Sequence, residues 1–201
     1  ATQYLPDSLA SIEGSYSSIA HCDPVSGRWS LFDPNIDDLY RDRVNSLQAL
    51  EFGKAYWLHA TEPITPYLNV GDIDQIQGRQ ANSRSTCTTP PPATYYGVIG
   101  STADITYEVG MPVTATSDGK VCAETTIEIY RGFLFYSLQV PQLTQCQSSS
   151  SSFNLEINGT STQVVDYPWD NIRANRVNLP DPDAEPPTVT LIPTYLPYIR
   201  R

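Results

Sequence analysis

The chain has 201 residues, 40% of them hydrophobic, and a formal net charge of −10. That is enough apolar material for one large or two small cores, and it excludes wholesale disorder. The charge excludes nucleic acid as a partner, because a polyanion needs clustered cations and the 12 Lys and Arg are scattered.

Strands are favoured over long helices. There are 13 Tyr against 5 Phe, a single Met (Met111) and only two Lys (Lys54 and Lys120), together with 17 Pro. Tyr, Thr and Val suit a pleated, half-buried surface, and proline interrupts helices.

From the N-terminus, Ser15 to His21 predicts a strand, Asp23-Pro24-Val25-Ser26-Gly27 a turn, and Arg28 to Phe32 a second strand closing a hairpin. Asn45 to Leu50 reads as one helical turn or a short connector. Lys54-Ala55-Tyr56-Trp57-Leu58 reads as a compact aromatic strand. Trp29, Tyr56 and Trp57 are the expected large core residues here.

Thr88-Thr89-Pro90-Pro91-Pro92 is a break, since three prolines favour an extended rod and cannot continue a helix or central strand. It sets the expected boundaries: a β-rich domain at 1–87, a linker at 88–92, a second domain at 93–179 and a tail at 180–201. The second domain carries strand signals at Tyr95–Ile99, Pro112–Thr116, Val121–Tyr130, Phe133–Val140 and Phe153–Ile157, the last alternating apolar and polar residues. Asp118-Gly119 and Asn158-Gly159 are tight-hairpin signatures, and Ser148 to Ser152 is a serine loop. About seven short strands with turns every 8–12 residues argue for a β-sandwich.

In the tail, a Pro- and Asp-rich spacer precedes Thr188-Val189-Thr190-Leu191-Ile192-Pro193-Thr194-Tyr195-Leu196-Pro197-Tyr198-Ile199-Arg200-Arg201. Its first half alternates like a strand and its second half is strongly apolar.

The four cysteines, Cys22, Cys87, Cys122 and Cys146, form no C-x-x-C pair, and only two histidines accompany them. An even count without metal spacing fits two disulfides and an oxidising compartment. Three pairings are possible. Cys22–Cys87 with Cys122–Cys146 is favoured, because each bond then stays inside one expected domain. Loops of roughly 65 and 25 residues are each worth about 3–4 kcal/mol on the loop-entropy account. No stretch approaches the 18 apolar residues of a membrane span, and no export signal is visible. Ala1 is expected to begin a mature, exported chain.

The run Asn45-Ser46-Leu47-Gln48-Ala49-Leu50-Glu51-Phe52-Gly53-Lys54-Ala55-Tyr56-Trp57-Leu58 resembles an N-x-L-x-x-L-x-x-G-x-x-Y-W-[IL] module of large secreted bacterial surface proteins, in which it follows a strand ending in Trp, here Trp29. Gly110-Met111-Pro112-Val113-Thr114-Ala115 and Gly119-Lys120-Val121-Cys122-Ala123-Glu124-Thr125 resemble the opening of their immunoglobulin-like or carboxypeptidase-regulatory-like sandwiches. Tyr195-Leu196-Pro197-Tyr198-Ile199-Arg200-Arg201 is similar to their Y-L-P-hydrophobic-R endings. The resemblance implies secretion and a β-sandwich. It carries over no catalytic residue and names no ligand.

Candidate chemistry is sparse. Asp33-Pro34-Asn35-Ile36-Asp37-Asp38 begins like a calcium loop, but Asp38 and Val44 stand where an EF-hand needs Gly and Glu. Asp72 with Asp74 and Asp181 with Asp183 read, like these, as solvated loop acids. His21 and His59 lack a G-x-S-x-G elbow or a free-cysteine nucleophile, so no enzyme and no cofactor is expected. Tyr95, Tyr96, Tyr107, Tyr167 and Trp169 offer a stacking platform for surface glycans, against the alternative that they fill the sandwich core. Asn158-Gly159-Thr160 is an N-glycosylation sequon, and the serine run is a site for O-linked sugars.

The expected fold is therefore all-β: a small β-rich N-terminal domain, an immunoglobulin-like sandwich and an extended C-terminal strand. The expected role is a subunit of an extracellular filament or cell-surface layer, with self as its partner. Strand donation would use Val189, Leu191, Ile192, Tyr195, Leu196, Tyr198 and Ile199. The alternative is a carbohydrate-binding or adhesion module of a larger secreted protein.

Overall fold

Residues 2–66, 87, 89–101, 105–142, 152–162 and 166–180 are described by the computed structural model. The N-terminal lobe contains β1 (Thr2–Tyr4), a 3-10 helix (Asp7–Ile12), β2 (Tyr16–Cys22), β3 (Trp29–Phe32), α1 (Arg41–Val44), β4 (Ala49–Glu51) and β5 (Trp57–Ala60). Strand β2 is the middle of an antiparallel β3-β2-β5 sheet, and β1 pairs with β4 in a separate ribbon. The β2–β3 hairpin closes where the sequence predicts. The Asp23 carboxylate accepts the Val25 and Ser26 N–H groups at 2.8 and 3.3 Å, and Gly27 takes a positive φ of 70°.

Two local expectations shift. The helical turn sits at 41–44 rather than 45–50, and 49–51 is a strand. Asn45 accounts for this: its side chain accepts the Asp33 N–H at 2.8 Å and donates to the Asp33 carbonyl at 3.0 Å. That clamp holds Asn45 extended, with ψ 94°, and ends the helix.

The core of this lobe is built from Leu9, Ile12, Ile19, Leu47 and Leu50 with the rings of Tyr16 and Phe32. Trp29, Tyr56 and Trp57 are not its centre: Trp57 is 51% exposed and the other two are half-buried. Pairing register is the cause. Ile19 lies opposite Phe32 and Leu58, so these three share the core face. Trp29 opposes Cys22 and Trp57 opposes Ala20, which puts both indoles on the other face.

The second lobe is a sandwich of β6 (Ala93–Val98), β7 (Pro112–Ser117), β8 (Lys120–Thr126), β9 (Glu128–Tyr130), β10 (Phe133–Val140), β11 (Ser152–Ile157), β12 (Thr160–Ser161), β13 (Tyr167–Pro168) and β14 (Ala174–Arg176). One sheet runs β14-β6-β10-β9 and the other β12-β11-β7-β8, with β13 also on β11. All pairs are antiparallel except β14 with β6. Three hairpins turn on residue pairs with positive φ: Asp118-Gly119, Arg131-Gly132 and Asn158-Gly159, the backbone a two-residue turn requires. The predicted 121–130 strand is split by Ile127, 1% exposed, where the chain passes from one sheet to the other.

Alternate residues of the two sheets meet between them: Tyr95, Tyr136, Leu138 and Val140 from one, Val113, Ala115, Phe153 and Leu155 from the other. Tyr95 meets Phe153 edge-on at 5.0 Å. Buried hydroxyls find carbonyls: Tyr136 donates to Val177 at 2.8 Å and Tyr95 to Pro168.

The lobes share a third cluster. Ile36, Tyr40 and Val44 pack on Tyr96, Val98 and Phe135, the outer face of the sandwich. Tyr40 is fully buried and stacks on Phe135 at 5.8 Å. Strand β6 is thus covered on both faces and buried throughout, the situation of a strand without polar alternation. Polar contacts seal the rim. Arg43 Nε donates to Glu128 at 2.6 Å, Tyr130 donates to Asp42, and the Ser17 and Ser18 hydroxyls donate to the Ile172 carbonyl at 2.8 and 2.7 Å. Pro91 and Pro92 are buried, and the Pro91 carbonyl accepts the Asn171 side chain at 3.1 Å.

Candidate functional site

Several of the described groups that could react are committed to structural partners. Asp33 is not a solvated loop acid. It is 2% exposed, and its carboxylate accepts the Asn35 and Ala174 N–H groups at 2.8 and 2.9 Å. Burial pushes its carboxyl above the usual range against those bonds. Asp37 accepts the Leu39 N–H at 2.8 Å, and Asp38 pairs with Arg41 at 2.6 Å. Asp72, Asp74, Asp181 and Asp183 lie outside the described residues. The Nδ1 of His21 meets the Ala55 carbonyl at 2.9 Å, and Ser17 reaches the backbone of His59 rather than its ring.

Cys22 and Cys87 are bonded, with their Cα atoms 6.0 Å apart. Cys122 carries no free thiol, and Cys146 is outside the described residues, as are Val189, Leu191, Ile192, Tyr195, Leu196, Tyr198 and Ile199. Asn158 is exposed at the tip of the β11–β12 hairpin.

The aromatic platform proposed for glycans does not form. Tyr95, Tyr96 and Tyr167 are 2%, 4% and 7% exposed, because inward alternation sends Tyr95 and Tyr167 into the sandwich while Tyr96 lies beneath Tyr40. Burial raises the Tyr96 hydroxyl to about 12. Trp169 packs against the same core and donates its Nε1–H to Val140 at 2.9 Å.

Aromatic surface gathers elsewhere, at the free end of the β3-β2-β5 sheet. A cleft of about 860 Å³ is lined there by His21, Asp23, Trp29, Lys54, Tyr56 and Trp57, with the Cys22–Cys87 bridge in its wall. Tyr56 and His21 lie 5.2 Å apart, and the Glu51 N–H donates to the Tyr56 hydroxyl at 2.6 Å. A second cleft of about 730 Å³ lies at the lobe junction. Four of its charges pair internally, Arg41 with Asp38 and Arg131 with Asp42, and Asp7 and Glu13 also line it.

The sheet margins are the other feature. Strand β3 is covered: Leu31 donates its N–H to the Ser46 hydroxyl at 3.0 Å and accepts the Leu47 N–H at 2.9 Å. Strand β14 is capped where Ala174 meets Asp33. Strand β8, seven residues long, ends its sheet with no strand on its outer side among the described residues, and Val121 on it is 57% exposed. Only Ile127 separates β8 from β9, so the β8 and β9 margins lie over one another. Beyond β14, the chain stays beside β6 to Leu179, which bridges Ile99 in parallel, at the opposite margin.

The chain matches no known family model, no curated protein and no solved structure.

Proposed function

We propose that this protein is a structural subunit of an extracellular filament or cell-surface layer, assembled head to tail by donation of its C-terminal strand. One observation carries the reading. Among the described residues, β8 is the longest sheet edge with no strand on its outer side, and Leu179, bridged to Ile99 near the last described residue, lies at the opposite margin. A strand that leaves one margin and pairs at the other of the next molecule makes a contact that need not close, and such contacts propagate. The receiving edge supplies backbone N–H and C=O groups. The 188–199 segment supplies the extended partner, with Val189 and Leu191 on one face, and Tyr195, Leu196, Tyr198 and Ile199 adding apolar area beyond it. The Cys22–Cys87 bridge suits an oxidising, extracellular setting. A mechanical role of this kind uses no reacting group.

Deletion of residues 186–201 tests it. Sedimentation of the full chain should show mass growing with concentration, while the deletion variant sediments as a monomer at every concentration. Equal self-association of the two overturns the proposal.

A further inference from the structure

We infer that the cleft at the end of the β3-β2-β5 sheet is a binding site for a neutral, β-linked oligosaccharide whose pyranose rings carry equatorial hydroxyls. The floor is the first observation. Trp29 and Trp57 flank Cys22 and Ala20 on one face of the sheet. With β2 between them, two strand spacings of about 4.8 Å and the two-residue offset from Cys22 to Ala20 put the Cα atoms of Trp29 and Trp57 roughly 12 Å apart, a separation that spans more than one pyranose ring. Ala20 and the Cys22–Cys87 bridge lie between the indoles on that face, so an elongated molecule meets them as two separate stacking surfaces.

The exposure pattern is the second observation. Of the nine exposed large hydrophobic residues among those described, Val25 at 89% and Trp57 at 51% line this cleft, and Phe52 at 49% adjoins its Glu51 and Gly53. A concentration of apolar surface at one end of a lobe marks a place that something else covers. These residues are also held firmly. The disulfide pins β2, the Asp23 carboxylate fixes the 23–27 turn, and the Glu51 N–H fixes Tyr56. A pre-set site spends less of its interaction energy on ordering.

Polar groups ring the apolar floor and determine the ligand class. Asp23 adds an exposed carboxylate, and Glu51 and Lys54, 2.8 Å apart, add an acceptor and a donor. Acids outnumber the cation among these residues, and the chain carries −10, which disfavours sulfated or uronic sugars. A sugar with equatorial hydroxyls presents axial C–H groups on its ring faces, carrying partial positive charge toward the negative face of an indole, and directs its hydroxyls sideways to the polar rim.

Calorimetry and tryptophan fluorescence on the full chain test this, with cellotetraose and tetra-N-acetylchitotetraose as probes. At least one probe should bind saturably and shift the emission. Trp57→Ala should weaken binding at least tenfold while retaining the wild-type melting curve. Trp169→Phe should retain both binding and the fluorescence change, because that indole is packed on the sandwich core. Absence of binding by both probes overturns the inference, as does wild-type affinity in Trp57→Ala or a fluorescence change that disappears with Trp169. If Trp57→Ala fails to fold, the comparison of wild type with Trp169→Phe decides. Assembly and sugar binding are read by different assays, so either can fail alone.

Discussion

Gly97 is the position where the structure leaves least room. A Cβ built there would lie 2.0 Å from the Val177 carbonyl oxygen and 2.6 Å from its carbon, so Gly97→Ala forces the 174–179 segment off β6. Beyond the β14–β6 ladder at 174–176, its 177–179 part is held by three backbone bonds: Val177 to Tyr96 at 2.8 Å, Leu179 to Val98 at 2.9 Å and Gly100 to Leu179 at 2.7 Å. At about 1 kcal/mol each, with about 1.5–3 kcal/mol for each of the buried Val177 and Leu179 side chains, release of that part costs about 6–9 kcal/mol. A sheet that only spreads to accept the methyl loses about 1–3 kcal/mol. The backbone contact leaves no flexible side chain to give way, so a loss of at least about 3 kcal/mol is expected, which lowers the melting temperature by about 6–12 °C at this chain length. Gly100→Ala is the control, since its nearest neighbour is the Leu179 carbonyl oxygen at 3.8 Å. Thermal unfolding followed by circular dichroism reads both. Melting of Gly97→Ala within about 2 °C of wild type would refute the close approach of the two segments.

Other substitutions probe the junction and the staple. Tyr40→Ala empties a fully buried stacking site and should cost about 3–5 kcal/mol in urea unfolding. Tyr40→Phe should be neutral or stabilising, because the Tyr40 hydroxyl is buried with no hydrogen-bond partner among the described residues and such a group costs about 1–3 kcal/mol. A Tyr40→Phe loss as large as that of Tyr40→Ala would contradict this. Replacing Cys22 and Cys87 together by Ser opens a 65-residue loop and should cost about 4 kcal/mol by the loop-entropy relation, measured by denaturant midpoint. Because the folded chain raises the Asp33 carboxyl, the contribution of this group is fully present below the unfolded carboxyl pKa and declines as pH rises through the folded one. The melting advantage of wild type over Asp33→Asn should therefore be larger at pH 3 than at pH 7, and calorimetry giving the reverse order would refute that assignment.

Much of the sandwich was legible because its signals are local. Asp118-Gly119 and Asn158-Gly159 turn where they do because both residues must take positive φ, and Phe153–Ile157 alternates because one face meets the core. The N-terminal lobe was harder to read, because its aromatics were assigned to the interior by size. In a strand only one of two adjacent aromatics can face a given side, so Tyr56 and Trp57 could not both be core, and that constraint was available from the sequence. Ile36, Tyr40 and Val44 meet on one surface although only Val44 belongs to α1. Their partner is a sheet more than 50 positions away, and no local pattern names it. The same holds for Asp33, whose burial depends on the Ala174 N–H.

The most direct test of strand donation is amide hydrogen exchange on the chain lacking residues 186–201, with and without a synthetic peptide covering 188–199. Added peptide should slow exchange along β8, at Lys120–Thr126, and leave the already covered β3 unchanged. Protection elsewhere with β8 unaffected, or no protection at all, would contradict assembly through that edge.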